Sequence, residues 1–314
     1  MEEIRVFETF AGYGGASFGL KKANIKHKVV GFSEFDPTAE RIFMKNHPDV
    51  PAFGDITKID VDTIPDFDLF TGGFPCQPFS TAGAGLGVLD IRGTLFYEII
   101  RICEIKKPKD ILLENVKGII GGKHKETFKK IISELERIGY QVHFKVLNSK
   151  NFGIPQNRER VWIYATLRER DLFWKFEFNN LKLNKFFKDV LDPEPEESLF
   201  LNQKQIQRHI EKHNVNFNVS ESSCFDVYNK KVRSDGVSIT LTEPHHNTLR
   251  VVHPPKDGTL IVRKLSVTEH FRLMGFEDGQ IDFDGLSYAQ LCKRAGNGWD
   301  INVASMIFKK IFEV

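Results

Sequence analysis

The sequence predicts an α/β fold built on a doubly wound sheet, with a second, smaller domain late in the chain. Three observations carry this expectation. About the first 165 residues alternate short β-rich runs with helical stretches. A glycine turn follows the first run and opens the first helix. After Arg170 the hydrophobic periodicity weakens and the composition changes.

Taken in order, residues 4–10 read as a strand, and a helix follows over 16–22. Residues 29–32 form a second strand. The short apolar runs at 68–71 and 111–113 suit buried parallel strands. Over 125–138, Phe128, Ile131, Ile132, Leu135 and Ile138 recur at helical spacing. Two later strands cover 142–147 and 161–165. Residues 181–262 are rich in Asn, Lys, Glu and Pro, and the acidic, turn-rich stretch 192–197 marks a domain edge. The expected division is a larger domain of 1–185 and 294–314 around a smaller one of 186–293. An amphipathic helix over 303–312 closes the chain.

Composition narrows the class. Hydrophobic residues make up 41% and charged residues 27%, as in a soluble globular enzyme. No run approaches the roughly 18 apolar residues of a membrane span. The acidic start, Met1-Glu2-Glu3, lacks the basic and apolar regions of a signal peptide, so a cytoplasmic location is expected. Cys76, Cys103, Cys224 and Cys292 fit neither a disulfide framework nor a zinc site, and no metal is expected. Net charge is only +2, but residues 202–265 carry ten Lys or Arg against six Asp or Glu. Such a segment suits phosphate contacts, or is an ordinary solvated surface.

Phe10-Ala11-Gly12-Tyr13-Gly14-Gly15 joins the first strand to the first helix. Glycines here let backbone amides approach a ligand at the positive end of a helix, although the spacing is not that of dinucleotide binders. Glu34 ends the second strand, where a carboxylate bonds ribose hydroxyls in doubly wound sheets. Asp55-Ile56 can set another carboxylate at an adenine amino group. The alternative is a glycine turn that only packs strand against helix.

Gly73-Phe74-Pro75-Cys76-Gln77-Pro78 follows the third strand. Two nearby prolines remove conformational freedom, so Cys76 is expected on display at the sheet's carboxyl edge. Cys103 lies in an apolar helical run and reads as a small buried hydrophobe. Glu114 ends an apolar run, where desolvating its charge is costly unless it serves as an acid. Pairing with an arginine or capping a helix is the other reading.

The ordered set Phe-x-Gly-x-Gly-Gly, Pro-Cys-Gln, Glu-Asn-Val, Gln-x-Arg-x-Arg and a late Gly-Asn resembles the cytosine-5 DNA methyltransferase family, in its prokaryotic or phage restriction-modification form. The resemblance covers nearly the whole chain except about 90 central residues. It implies a Rossmann-like doubly wound mixed sheet, the S-adenosylmethionine-dependent methyltransferase fold, with a smaller target-recognition domain. It implies transfer of a methyl group to carbon 5 of a flipped cytosine through a covalent adduct of Cys76 with carbon 6. Glu114 would contact the ring N3 and amine, and Arg158 and Arg160 would approach the cytosine carbonyl, the carboxylate or a phosphate. Strand alternation places Gln156, Arg158 and Arg160 on one face.

The cofactor implied is S-adenosyl-L-methionine. Phe10, Gly12, Tyr13, Gly14, Gly15, Glu34, Phe35, Asp55, Ile56, Pro75, Leu95, Asn297 and Gly298 are its expected contacts, with Phe35 stacking on the adenine. Gly298-Trp299 departs from the family pattern of small or aliphatic residues after the asparagine. The glycine-rich stretch 80–87 reads as a lid closing over DNA. Residues 263–276 resemble a motif that organises the recognition domain, with a capping box from Ser266 to Glu269.

Ser80, Gln156, Thr240, Thr242 and Arg250 are the expected DNA contacts, and His245, His246 and Asn247 lie among them. Double-stranded DNA is the expected partner of a monomer that acts beside a cognate restriction endonuclease. Two rivals stand: a tRNA cytosine methyltransferase, weakly suggested by Cys224-Phe225, and a catalytically silent DNA-binding protein on the same scaffold.

Overall fold

The computed structural model describes residues 2–75, 95–170, 174–178, 183–243 and 249–312. The chain divides into two compact units. The first comprises Met1–Leu147, Glu159–Asn179 and Ala304–Val314, and the second Asn148–Arg158 and Asn180–Val303. Residues 148–158, 183–185 and 294–303, expected with the larger domain, cluster with the second unit.

The first unit is built on a six-stranded mixed sheet. Its elements are β1 (Ile4–Thr9), α1 (Gly15–Lys22), β2 (His27–Ser33), α2 (Pro37–Asn46), β3 (Leu69–Gly72), α3 (Leu95–Lys106), β4 (Asp110–Val116), α4 (Lys125–Arg137) and β5 (Tyr140–Asn148). After the short β6 (Gln156–Asn157) comes β7 (Glu159–Leu167). The strand order is β2-β1-β3-β4-β7-β5. β2, β1, β3 and β4 pair in parallel, while β7 runs antiparallel to β4.

Successive side chains of a strand point to opposite faces, so Phe7, Phe70, Ile111, Leu113 and Ile163 meet in one core with Ile99 and Cys103 of α3 and Ile131 and Leu135 of α4. β4 is buried from Asp110 to Asn115, as a strand covered on both faces should be. On α1, a Cβ at Gly19 would lie 2.8 Å from the Ala304 Cβ, so glycine permits that close helix approach.

The second unit contains α5 (Gln203–His213), β8 (Ser223–Asp226), β9 (Lys231–Val232), β10 (Ser238–Ile239), β11 (Leu249–Lys256), β12 (Thr259–Arg263), α6 (Val267–Arg272) and α7 (Tyr288–Asn297). The last helix, α8 (Ile301–Phe312), begins here and ends in the first unit. β12-β11-β8-β9 form an antiparallel sheet over a core of Ile206, Phe217, Phe225, Val252 and Val262. The Ser266–Glu269 capping box opens α6 as expected. Glu269 also accepts two bonds from Arg263, and both side chains are fully buried, which gives the segment a structural role. Among the described residues, no helix is long and apolar enough to cross a membrane.

Candidate active site

Because β1 to β4 are parallel, the segments that follow them gather at the sheet's carboxyl edge. After β1 the backbone turns through Phe10, Gly12 and Gly14 at φ 51°, 58° and 90°. A non-glycine residue such as Phe10 rarely adopts this left-handed region, and such strain concentrates at functional sites. A Cβ at Gly12 would meet nothing within 4 Å, so open space faces the loop there. Tyr13, Gly14 and Gly15 are buried behind it.

Two carboxylates hold this loop. Glu34, just beyond β2, accepts the Gly12 amide at 2.9 Å and the Phe35 and Asp36 amides at 2.9 Å each. Glu8, buried inside β1, accepts the Ala16 and Ser17 amides at 2.9 and 3.3 Å and the Ser17 hydroxyl at 2.6 Å. It thereby takes up amide groups that the start of α1 leaves without helical partners. Burial pushes the Glu8 carboxyl up to about 7, against the opposing effect of those hydrogen bonds.

Phe35 is 78% exposed, a large ring left facing outward beside Glu34. Asp55 accepts the Thr57 amide and hydroxyl, at 3.0 and 2.9 Å, and these bonds hold its carboxyl below the usual range. Ile56 is buried beside it. A nucleoside needs acceptors for its hydroxyls and amine and a flat face for its base. Glu34, Asp55 and Phe35, with the open approach at Gly12, have the chemistry to meet those needs.

The second part of the edge lies beyond β3 and β4. Cys76, Ser80 and the lid stretch fall outside the described residues. The approach to Cys76 is described: Phe74 is buried against Phe96, with ring centroids 5.4 Å apart, and Pro75 is exposed. The Asn115 side chain donates to the Phe74 carbonyl at 2.8 Å. Leu95 opens α3, half-buried.

Glu114 forms an ion pair with the Arg160 Nε at 3.0 Å, with side chains 10% and 15% exposed. The register explains the contact. Glu114 lies opposite Trp162 and Val116 opposite Arg160, so Arg160 is Glu114's diagonal neighbour across the antiparallel pair.

Arg158 does not share this pair; with Gln156 it bonds the backbone of Leu241. β6 pairs with β10 through Gln156–Ser238, Arg158 stands between β6 and β7, and the ladder with β4 begins only beyond it, at Arg160. Arg158 is 2% exposed. Its guanidinium donates to the carbonyls of Leu241 at 3.2 Å, Gly296 at 3.1 Å and Gly298 at 2.8 Å.

Gln156, expected at DNA, is fully buried. Its amide donates to the Leu273 carbonyl at 2.7 Å and accepts the Leu241 amide at 2.9 Å. Thr240 donates to the Asn157 carbonyl at 2.7 Å, and Thr242 is half-buried. A Cβ at Gly296 would lie 2.6 Å from the Thr242 backbone. Asn297 is exposed and bonds Glu243 at 2.7 Å, while Trp299 is buried. Arg250 bonds the Leu249 carbonyl at 2.7 Å. His245, His246 and Asn247 lie outside the described residues.

Asn115 and Glu8 were not singled out by the sequence reading. For Glu8 the signal was present: a carboxylate inside an apolar strand, the same feature that marked Glu114.

The model of the C-5 cytosine-specific DNA methylase family matches residues 4–313. The chain is 42% identical over 181 residues to the Type II methyltransferase M.NlaIV of Neisseria lactamica, a match spanning 54% of this chain and 43% of that protein. It is 34% identical over 320 residues to the Type II methyltransferase M.NlaX of the same organism, covering 98% of this chain and 96% of the other. The crystal structure of a DNMT2 mutant from Spodoptera frugiperda superposes with a TM-score of 0.78 at 18% identity, over 99% of this chain and 100% of that one.

Proposed function

The chain belongs to the C-5 cytosine-specific DNA methylase family, and from that premise we propose that it methylates carbon 5 of a cytosine flipped out of duplex DNA, using S-adenosyl-L-methionine and Cys76 as nucleophile. The observation that carries this reading is the pairing of Glu114 with Arg160 beside the Asn115-anchored approach to Cys76.

Carbon 5 of cytosine is a poor nucleophile. Addition of the Cys76 thiolate to carbon 6 breaks the aromatic ring and makes carbon 5 an enamine carbon. Glu114 contacts N3 and the exocyclic amine and holds a proton at N3 as charge develops there, while Arg160 fixes the orientation of the carboxyl group. Bound S-adenosylmethionine supplies an electrophilic methyl group. Loss of the carbon-5 proton to a base then lets the thiolate leave, restoring the ring and the enzyme. The cofactor would be held by Phe10 to Gly15, Glu34, Phe35, Asp55 and Ile56, with Pro75, Leu95, Asn297 and Gly298 as further contacts. Carbon 6 is unreachable inside a stacked duplex, so the base must leave the helix, at a cost of a few kcal/mol.

Type II methyltransferases among the relatives support a restriction-modification setting. In that setting we assign a cytoplasmic monomer acting on double-stranded DNA beside a cognate endonuclease. Ser80, Thr240, Thr242 and Arg250 remain the proposed DNA contacts. Bisulfite sequencing of a plasmid from a host expressing the protein tests the reading. Protected cytosines within one short sequence are expected, and a fully converted plasmid would contradict it. Methyl transfer to tRNA alone would favour the rival.

A further inference from the structure

One face of the second unit carries a groove that the catalytic reading does not use. Its volume is about 570 Å3, and it runs between α5 and the turn joining β8 to β9. Arg208, His209, Lys212, His213, Tyr228 and Lys230 line it, and no acidic side chain does. Glu211, the one acidic residue of α5, is outside the lining and bonds Gln207.

Several facts set this groove apart from an ordinary solvated surface. Arg208, Lys212 and Lys230 are exposed, and no ion pair among the described residues engages them. His209 and His213 stack at 5.6 Å, and both rings rest near Phe225, at 5.7 and 6.4 Å. Burial and the cations Lys212 and Lys230 lower the His213 value, and His209 is lowered by burial, Arg250, His213 and Lys212. Both rings therefore stand in a positively charged surrounding.

Like charges gathered in one concavity repel, and a polyanion placed among them offsets that repulsion. Arg208 and Lys212 are one helical turn apart, about 6 Å along the axis, which spans roughly two phosphates of one DNA strand. Tyr228, 79% exposed, adds a ring at the rim that can lie against a sugar or an unstacked base.

We propose that this groove seats the sugar-phosphate backbone of the duplex, alongside the bases being read. The proposal rests on the DNA-methylating activity above and adds a non-specific contact that sets affinity and salt dependence. It assigns the groove no part in the chemical step.

The test is a triple variant, Arg208→Gln, Lys212→Gln and Lys230→Gln, with its fold checked by circular dichroism. Duplex binding is followed by fluorescence anisotropy between about 50 and 200 mM salt. At about 0.9 per phosphate, the slope of log affinity against log salt should shrink by about 2.7, with kcat at saturating DNA unchanged. Tyr228→Ala should weaken binding several-fold and leave the slope alone. If the triple variant keeps the wild-type affinity and slope while both proteins methylate DNA, the groove is not a DNA contact and the catalytic reading survives. If the wild-type protein transfers no methyl group to DNA, both ideas fall.

Discussion

The side-chain amide of Asn115 donates to the backbone carbonyl of Phe74 at 2.8 Å, joining the strand that carries Glu114 to the segment that leads into Cys76. Asn115 is 2% exposed and Phe74 5%. One buried hydrogen bond thus ties the strand end beside Glu114 to the segment that precedes Cys76. Asn115→Ala should leave the Phe74 carbonyl unpaired, at about 1–3 kcal/mol of stability. Misplacing the loop should lower kcat by about 100-fold, roughly 3 kcal/mol of activation free energy. Denaturant unfolding and single-turnover methylation measure the two effects. Wild-type turnover would remove the positioning role.

Arg160 and Arg158 are two residues apart but should respond differently. Arg160→Ala leaves the buried Glu114 carboxyl without its cation, and breaking such a pair costs about 3–5 kcal/mol unless the carboxyl takes up a proton. We expect a deep loss of kcat and a shifted pH–rate profile. Arg160→Lys should recover part of the rate, since it restores charge without the guanidinium geometry. An unchanged pH profile in Arg160→Ala would count against the pairing's role in catalysis.

Arg158 spans three carbonyls of the second unit, two of them flanking Asn297. Arg158→Lys cannot reproduce that fork. It should lower stability by about 2–3 kcal/mol, since each bond from a charged donor contributes about 1.5 kcal/mol or more. The loss should appear in the unfolding midpoint before it appears in kcat. Full stability with abolished turnover would instead place Arg158 at the reacting base.

Glu8 gives the fold a pH signature. Its folded value of about 7 lies above its usual 4.5, so the folded state holds the proton more tightly than the unfolded one. The stability this adds is fully present below about 4.5 and is lost as pH rises through about 7. The difference corresponds to about 3 kcal/mol. Relative to wild type, Glu8→Gln should therefore gain stability between about pH 5 and about pH 8. Asp300, raised to about 6 by burial, acts in the same direction but is unchanged in this comparison. Paired thermal melts across that range decide it, and a pH-independent difference would show that Glu8 does not titrate there.

Much of this was legible in the sequence because apolar runs too short for a helix and bounded by turn residues suit buried strands. β1, β2, β3, β4, β5 and β7 all lie where the runs placed them, and the Ser266–Glu269 box opens α6 as read. Cys103 is buried in the core, as its helical surroundings implied. Strand alternation did not show the separate partners of Arg158 and Arg160. Alternation assumes one continuous strand, whereas Arg158 lies between β6 and β7, outside both ladders. The Asn115–Phe74 bond spans 41 residues, and no local pattern encodes it. The Arg160–Glu114 contact depends on the register of two strands far apart in the chain, which turn chemistry and long-range packing fix together.

Trapping with a duplex that carries 5-fluorocytosine at the target position addresses the nucleophile most directly. The fluorine at carbon 5 cannot leave as a proton does, so the enzyme, incubated with S-adenosylmethionine, should remain joined to the DNA. Peptide mass mapping should locate that bond at the Cys76 sulfur, and Cys76→Ser should give no adduct. An enzyme that methylates ordinary duplex DNA yet yields no Cys76-linked product would contradict covalent catalysis by this residue.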